Sequence, residues 1–156
     1  RVIKDQNGSI WILSVEKIYK IDFDKNGNIA KLITSENKTG ESPHSFTTIN
    51  EIDNTVYVGS KGIIFTVSVS QNGSLSFKQL NEALDFGENT FISSMMKKDN
   101  TLWIGTDNGL YKYLINSYNL EHYVHSESDQ NSISQDMVTN LAFFDDGKLV
   151  IGTLRG

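Results

Sequence analysis

Asp99-Asn-Thr-Leu-Trp-Ile-Gly105 is a turn dipeptide followed by a short apolar run, and the same pattern occurs at three other places in the chain. The other copies are Asn7-Gly-Ser-Ile-Trp-Ile-Leu13, Asp53-Asn-Thr-Val-Tyr-Val-Gly59 and Asp146-Gly-Lys-Leu-Val-Ile-Gly152. Their shared anchor position recurs after 46, 46 and 47 residues, at Trp11, Tyr57, Trp103 and Val150. A constant period of this length is typical of repeat architectures.

The turn residues repeat in register with the anchors. Asn, Asp and Gly precede each anchor by three and four residues, which predicts two-residue hairpins of type I′, since these residues tolerate positive φ best. Second turns follow at 60–62, 107–109 and 154–156, with Glu16-Lys17 departing from the pattern in the first repeat. Third turns lie at Asn26-Gly27, Asn72-Gly73 and Tyr118-Asn119.

The runs between turns are short and rich in β-branched and aromatic residues, as in Ile63-Ile-Phe-Thr-Val67, so they read as strands. Four strands with three tight turns and a longer link describe one propeller blade. We therefore predict an all-β partial β-propeller of about three and a half four-stranded antiparallel blades, at 1–45, 46–90, 91–137 and 138–156. The anchors are expected to pack blade against blade. A β-sandwich is the alternative, although a sandwich has no reason to keep a constant period.

The composition excludes several classes of function. Hydrophobic residues make up 38% and charged residues 21%, which is ordinary for a globular domain. Fourteen scattered basic residues against nineteen acidic ones give a net charge of −5, which argues against nucleic-acid binding. The absence of Cys excludes disulfides and thiolate chemistry. Because the chain starts at Arg1 and stops inside a repeat, we expect it to be a piece of a longer protein.

The stretch Leu102-Trp-Ile-Gly-Thr-Asp-Asn-Gly-Leu-Tyr111 resembles the two-component regulator propeller repeat, and Leu149-Val-Ile-Gly-Thr-Leu-Arg-Gly156 resembles it more weakly. The polar link Asp129-Gln-Asn-Ser-Ile-Ser134 is also similar to the connector of that family, whereas Leu13-Ser14 departs from its Gly-Thr. The resemblance implies a seven-bladed parent propeller in the periplasmic sensor region of a hybrid histidine kinase, with an oligosaccharide as ligand. It implies no cofactor and no catalysis by this part of the chain. Fold alone does not fix function.

Any ligand is expected on the face where the longer links between blades and the second turns meet, because the tight turns on the other face cannot shape a pocket. Planar amides, charged groups and aromatic rings in a concavity suit carbohydrate. Such residues on this face are Lys61, Asp107, Asn108 and Arg155 from second turns, and His44, Phe86, Glu88, Asn89, His125 and Asn131 from links. Ordinary solvated loop residues are the alternative interpretation.

Other chemistry is weakly supported. Asp22, Asp24 and Asn26 open a calcium-loop pattern, but its twelfth position is Ile33 instead of Glu, so a hairpin rich in Asp and Asn is the simpler interpretation. His122 and His125 lie three apart on one predicted strand and face opposite ways. The spacing from Asp5 to Trp11 misses the Asp-box of sialidases by one residue.

Three functional hypotheses remain at this point. The first is a non-catalytic periplasmic sensor that signals to transcription, with the kinase module elsewhere. The second is a propeller lyase or glycosidase with its active residues on other blades, and the third is a protein-interaction scaffold. Because three and a half blades leave apolar flanks open, we also expect homo-oligomers or another association through those flanks.

Overall fold

The computed structural model describes residues 1–14, 16–35, 45–80, 84, 86–87 and 89–155. In this part of the chain all regular structure is β, and within each sheet every strand pairs antiparallel with its neighbours in sequence. No helix among these residues is long and apolar enough to cross a bilayer.

Three four-stranded sheets and one two-stranded sheet follow one another along the chain. Each sheet keeps its strands in sequence order, so the first strand of a sheet lies at one edge and the fourth at the other. Blade 1 contains β1 (Val2–Lys4), β2 (Ile10–Leu13), β3 (Ile18–Phe23) and β4 (Ile29–Thr34). Blade 2 contains β5 (Thr48–Ile52), β6 (Thr55–Gly59), β7 (Ile64–Val69) and β8 (Leu75–Gln79). Blade 3 contains β9 (Ile92–Lys98), β10 (Thr101–Thr106), β11 (Gly109–Leu114) and β12 (Asn119–Tyr123), and the half-blade contains β13 (Val138–Phe143) and β14 (Leu149–Thr153).

The blades stack face to face through the repeated anchors. Trp11 belongs to the cluster between blades 1 and 2, Tyr57 packs on the cluster between blades 2 and 3, and Trp103 packs on the cluster between blade 3 and the half-blade. The first strands β1, β5, β9 and β13 lie side by side along a common axis. The prediction that the anchors pack blade against blade is confirmed for Trp11, Tyr57 and Trp103.

The fourth anchor lies in the half-blade, on a face of the sheet that no following blade covers. Val150 occupies the anchor position of the fourth repeat, and it is 37% exposed, whereas Trp11 is 3% exposed. Among the described residues, strand pairing stays within each blade apart from one isolated bridge between Lys61 and Phe91. A two-layered sandwich is therefore excluded, and the predicted partial propeller is confirmed as an open, unclosed one.

The first turns differ from the sequence prediction in two of the four repeats. Asp53 and Asn54 form a two-residue turn with φ of 50° and 61°, and Asp99 has φ of 52°. In blade 1, however, Asp5 N–H donates to Ser9 O at 2.9 Å, which makes the loop three residues long. The half-blade has the same three-residue loop, closed by Phe144 N–H and Lys148 O at 2.9 Å. The two-residue prediction was wrong there because a three-residue loop also requires Gly at its left-handed position, here with φ of 84° and 82°.

Candidate functional site

One face of the molecule, here called the link face, carries the second turns and the connections between blades. Gly62 N–H donates to Thr90 O at 2.8 Å, and Gly109 N–H donates to Asp136 O at 2.7 Å. In blades 2 and 3 the second turn is thereby fastened to the link that follows the blade. The opposite face carries the tight first and third turns.

The structure places seven of the predicted ligand residues at exposed positions on the link face. They are Lys61, Asn89, Asp107, Asn108, His125, Asn131 and Arg155. Two others, His44 and Glu88, lie outside the described residues. These seven residues therefore belong to three second turns, in blades 2 and 3 and the half-blade, and to the two links that follow blades 2 and 3.

Phe86 is placed differently from the sequence interpretation. The residue is 2% exposed, and its ring meets the ring of Tyr111 edge-on with centroids 5.1 Å apart. Phe86 belongs to the core between blades 2 and 3, so its ring is not available to a ligand. An apolar side chain in a link turns inward when the link itself must cover a blade edge.

Lys61 and Asp107 meet at Phe91, a residue that sequence reasoning missed. Phe91 N–H donates to Asp107 Oδ1 at 2.9 Å, and Asp107 N–H donates to Phe91 O at 3.1 Å. Lys61 pairs with Phe91 as an isolated bridge. The Phe91 side chain is nevertheless 48% exposed. We call Lys61, Phe91 and Asp107 the Phe91 platform.

The platform combines an apolar ring, a cation and a carboxylate: backbone contacts join Phe91 to Lys61 and to Asp107, and the Asp107 carboxylate also accepts from Phe91 N–H. Strand alternation could have revealed it, because Ile92 is fully buried and the side chain before it must point the other way. An exposed aromatic face packs against the C–H face of a sugar ring, while charged groups beside it bind hydroxyls. The platform is therefore the part of the link face best suited to a polar ligand with an apolar side.

The next link, after blade 3, is folded on itself and holds His125 and Asn131. His125 N–H donates to Asp136 Oδ1 at 2.6 Å, and its Nδ1 lies 2.9 Å from Ile133 O. Asn131 N–H donates to Asp129 Oδ1 at 2.9 Å. His122 does not join His125, since its ring stacks on Tyr111 with centroids 4.0 Å apart. These contacts shape the link after blade 3, whereas Lys61 and its neighbour Gly62 contact the link after blade 2.

The calcium-like segment forms a hairpin stabilised by its own carboxylates. Asp24 Oδ1 accepts from the backbone N–H groups of Asn28 and Asn26 at 2.9 and 2.8 Å, and these bonds lower the pKa of Asp24 below its usual value. Asp22 instead binds Lys20 and the Ser9 hydroxyl, which lower its pKa as well. Within the described residues no three His, Cys, Asp or Glu side chains group as metal ligands.

This fold defines a class, the open β-propeller. No protein-family model matches the sequence, and no curated protein matches it. Solved structures do share the fold. Two structures of the extracellular domain of BT4673 from B. thetaiotaomicron, named in one as a one-component and in the other as a hybrid two-component system, are each 21% identical to this chain. Their TM-scores are 0.77 and 0.74, over 98% and 97% of this chain and 20% of theirs.

Two further proteins share the fold. The extracellular domain of the hybrid two-component system BT3049, also from B. thetaiotaomicron, is 17% identical with a TM-score of 0.65, over 97% of this chain and 21% of that one. Virginiamycin B lyase from Staphylococcus aureus is 13% identical with a TM-score of 0.58, over 99% of this chain and 55% of that one. This chain spans about a fifth of the length of the sensor domains. The class of sensor that the sequence resembles is thus represented among the structures with this fold.

Proposed function

We propose that this chain is part of the periplasmic, ligand-sensing propeller of a hybrid two-component histidine kinase. The observation that carries the proposal is the match of its blades, over 98% of the chain, to the extracellular domain of BT4673. The kinase module lies elsewhere in such a protein, and this part contributes binding instead of catalysis. Binding at the link face would be passed on through domain contacts and would end in a transcriptional response.

The proposed ligand is an oligosaccharide that binds the Phe91 platform. Phe91 supplies the apolar ring, while Lys61 donates hydrogen bonds and Asp107 accepts them. Two hydrogen bonds, from Phe91 N–H to Asp107 Oδ1 and from Asp107 N–H to Phe91 O, hold the two residues in place before the ligand arrives. Such preorganisation lowers the entropic cost of binding.

A propeller lyase is the second candidate, because virginiamycin B lyase shares the fold with a TM-score of 0.58. The sensor domains fit better, with TM-scores of 0.65 to 0.77. A lyase would convert its substrate into product, whereas a sensor would return its ligand unchanged.

Calorimetry of the full-length protein against a panel of oligosaccharides tests the proposal. Phe91→Ala is expected to weaken binding at least tenfold, which corresponds to about 1.4 kcal/mol. Phe23→Ala is the matched control, because Phe23 is 44% exposed at the tight-turn end of blade 1. Equal losses of affinity in Phe91→Ala and Phe23→Ala would show that the platform does not bind the ligand. Release of product from any oligosaccharide of the panel would favour the lyase.

A further inference from the structure

Two loops on the tight-turn face have the same sequence and the same backbone closure. They are Gln6-Asn-Gly-Ser9 in blade 1 and Gln71-Asn-Gly-Ser74 in blade 2. In each loop the Gly N–H donates to the carbonyl oxygen three residues earlier, at 3.0 and 2.9 Å, and the Gly has a positive φ of 84° or 82°. The two Asn side chains are both exposed. A difference in the chemistry of the two Asn-Gly pairs must therefore come from the side chains around them.

In blade 1 a carboxylate takes the free N–H groups of the loop. Asp5 precedes the repeated sequence, and its Oδ1 accepts from the backbone N–H groups of Asn7 and Ser9. The side chain of Asn7 makes no hydrogen bond with any described residue. Its carboxamide is therefore in contact with solvent alone.

In blade 2 the residue before the repeated sequence is Ser70, and the Asn carboxamide takes the place of the carboxylate. Asn72 Oδ1 accepts from Ser74 N–H at 3.0 Å and from the Ser74 hydroxyl at 2.7 Å, and Ser70 Oγ also lies within hydrogen-bonding distance. Such donors stabilise the negative charge that the oxygen acquires when a nucleophile adds to the carbon. The same bonds curl the side chain over the peptide that follows it, as in an Asx turn. The Asn72 carbon is thereby held, and made electrophilic, beside the next backbone nitrogen.

A cation also lies beside the loop of blade 2. A Cβ built on Gly73 would be 3.4 Å from Lys31 Nζ, whereas a Cβ on Gly8 would have no atom within 4 Å. Lys31 belongs to β4 of blade 1 and reaches across to blade 2. A positive charge near an amide favours loss of the amide proton. Lys31 therefore favours the nucleophilic form of the Gly73 nitrogen.

We propose that Asn72 is a site of spontaneous deamidation, promoted by the two serine residues of its loop and by Lys31. The Gly73 nitrogen loses its proton to hydroxide and forms a bond to Asn72 Cγ, while the bond from Cγ to Nδ2 breaks and ammonia leaves. Water then opens the resulting five-membered imide at either carbonyl, which gives aspartate or iso-aspartate. The loop lies on the face opposite the Phe91 platform, so this reaction is independent of any ligand bound there.

The two other Asn-Gly pairs of the chain lack these features. At Asn26-Gly27 the loop N–H groups are taken by Asp24, and a Cβ on Gly27 would have no atom within 4 Å. At Asn108-Gly109 the Gly is buried, and its N–H donates to Asp136 O at 2.7 Å. Asn72 should therefore be the fastest of the four Asn-Gly pairs to react in the folded protein.

Peptide mapping of the full-length protein after incubation in mildly alkaline buffer tests the assignment. Trypsin places Asn7 and Asn72 in separate peptides, 5–17 and 62–78, and mass spectrometry measures the replacement of NH₂ by OH in each. In the folded protein Asn72 is expected to react about tenfold faster than Asn7, because its oxygen is held by donors. In urea the two rates should become similar, since the surrounding sequence Gln-Asn-Gly-Ser is the same.

Ser70→Asp converts the loop of blade 2 to the type found in blade 1, and it should lower the rate at Asn72 to that at Asn7. Ser76→Asp is the matched control, because it adds the same charge on β8 outside the loop and should leave the rate unchanged. Lys31→Met should also slow the reaction at Asn72, and thermal melting checks that the variants are folded. Equal rates at Asn7 and Asn72 in the folded protein would overturn the proposal, as would an unchanged rate in Ser70→Asp.

Discussion

Trp11 Nε1 donates a hydrogen bond to Asp5 Oδ2 at 2.8 Å, and both residues are buried, with exposures of 3% and 9%. The other carboxylate oxygen of Asp5 accepts from the backbone N–H groups of Asn7 and Ser9 at 3.0 and 2.9 Å. One side chain therefore joins the first turn of blade 1 to the anchor that packs on blade 2. The spacing misses the Asp-box of sialidases by one residue, yet its Asp and Trp are bonded directly.

Asp5→Ala should destabilise the protein by about 2–4 kcal/mol, because it leaves three donors without an acceptor in a buried place. Asp24→Ala removes the same two backbone bonds from the turn between β3 and β4, but that turn is exposed and water replaces the lost acceptor. Asp24→Ala should therefore destabilise the protein clearly less than Asp5→Ala does. Urea unfolding followed by Trp fluorescence measures both, and equal losses would show that the Asp5–Trp11 bond adds nothing.

Gly105 is required by close approach between blades, since a Cβ there would lie 2.6 Å from Val138 Cγ1 and 2.7 Å from Ser94 Oγ. Gly105→Ala should therefore cost about 1–3 kcal/mol through overpacking. Gly152 holds the equivalent position in the half-blade, where the nearest atom would be 3.5 Å away, in ordinary contact. Gly152→Ala should be nearly neutral in the same thermal melts. A large loss at Gly152 would contradict this explanation of the repeated glycine.

The repeat period predicted the blades, their order and the role of the anchors, because each of these depends on residues that recur in register. Turn length was less predictable, since Asn7-Gly8 suits both a two-residue and a three-residue loop. The repeat pattern also did not predict which side chains of the links are buried. Phe86 and Phe91 are five residues apart in sequence, yet one is 2% and the other 48% exposed. That difference depends on which link residue covers the blade edge, which is a property of tertiary packing.

Acid should weaken the contact between Asp22 and Lys20. The hydrogen bond from Lys20, followed by that from Ser9, lowers the pKa of Asp22 below its ordinary value of 3.8. A lowered folded-state pKa means that this contribution is present above about pH 4 and is lost as pH falls through the folded-state value. The exposed fraction of Asp22 is 33%, so screening by solvent keeps the contribution small.

Asp22→Asn should therefore be less stable than the parent chain at neutral pH, and the gap should close in acid. Urea unfolding of both chains at neutral pH and below the pKa of Asp22 provides the measurement. Lys20→Met removes the main cause of the lowered pKa, so Asp22→Asn made in that background should show a smaller gap. A difference in stability between the two chains that grows in acid would contradict a lowered pKa of Asp22.

The two open flanks are apolar. On blade 1 the face turned away from blade 2 carries Val2 and Leu32, which are 62% and 57% exposed. On the half-blade the face turned away from blade 3 carries Val150 and Phe144, which are 37% and 63% exposed. In a propeller, the face that the half-blade leaves open packs on the next blade, against a face like the one that blade 1 leaves open. Copies of this chain should therefore associate head to tail, half-blade onto blade 1.

Val150→Glu places a charge in that proposed contact and should shift the 156-residue chain towards monomer in sedimentation velocity. Val69→Glu is the matched control, because Val69 is 40% exposed on blade 2, whose two faces are both covered by neighbouring blades. This second variant should associate as the parent chain does, since its charge lies outside the flanks. A parent chain that stays monomeric at high concentration would contradict the prediction, because burial of the apolar flanks would then contribute too little to offset the entropy lost on association.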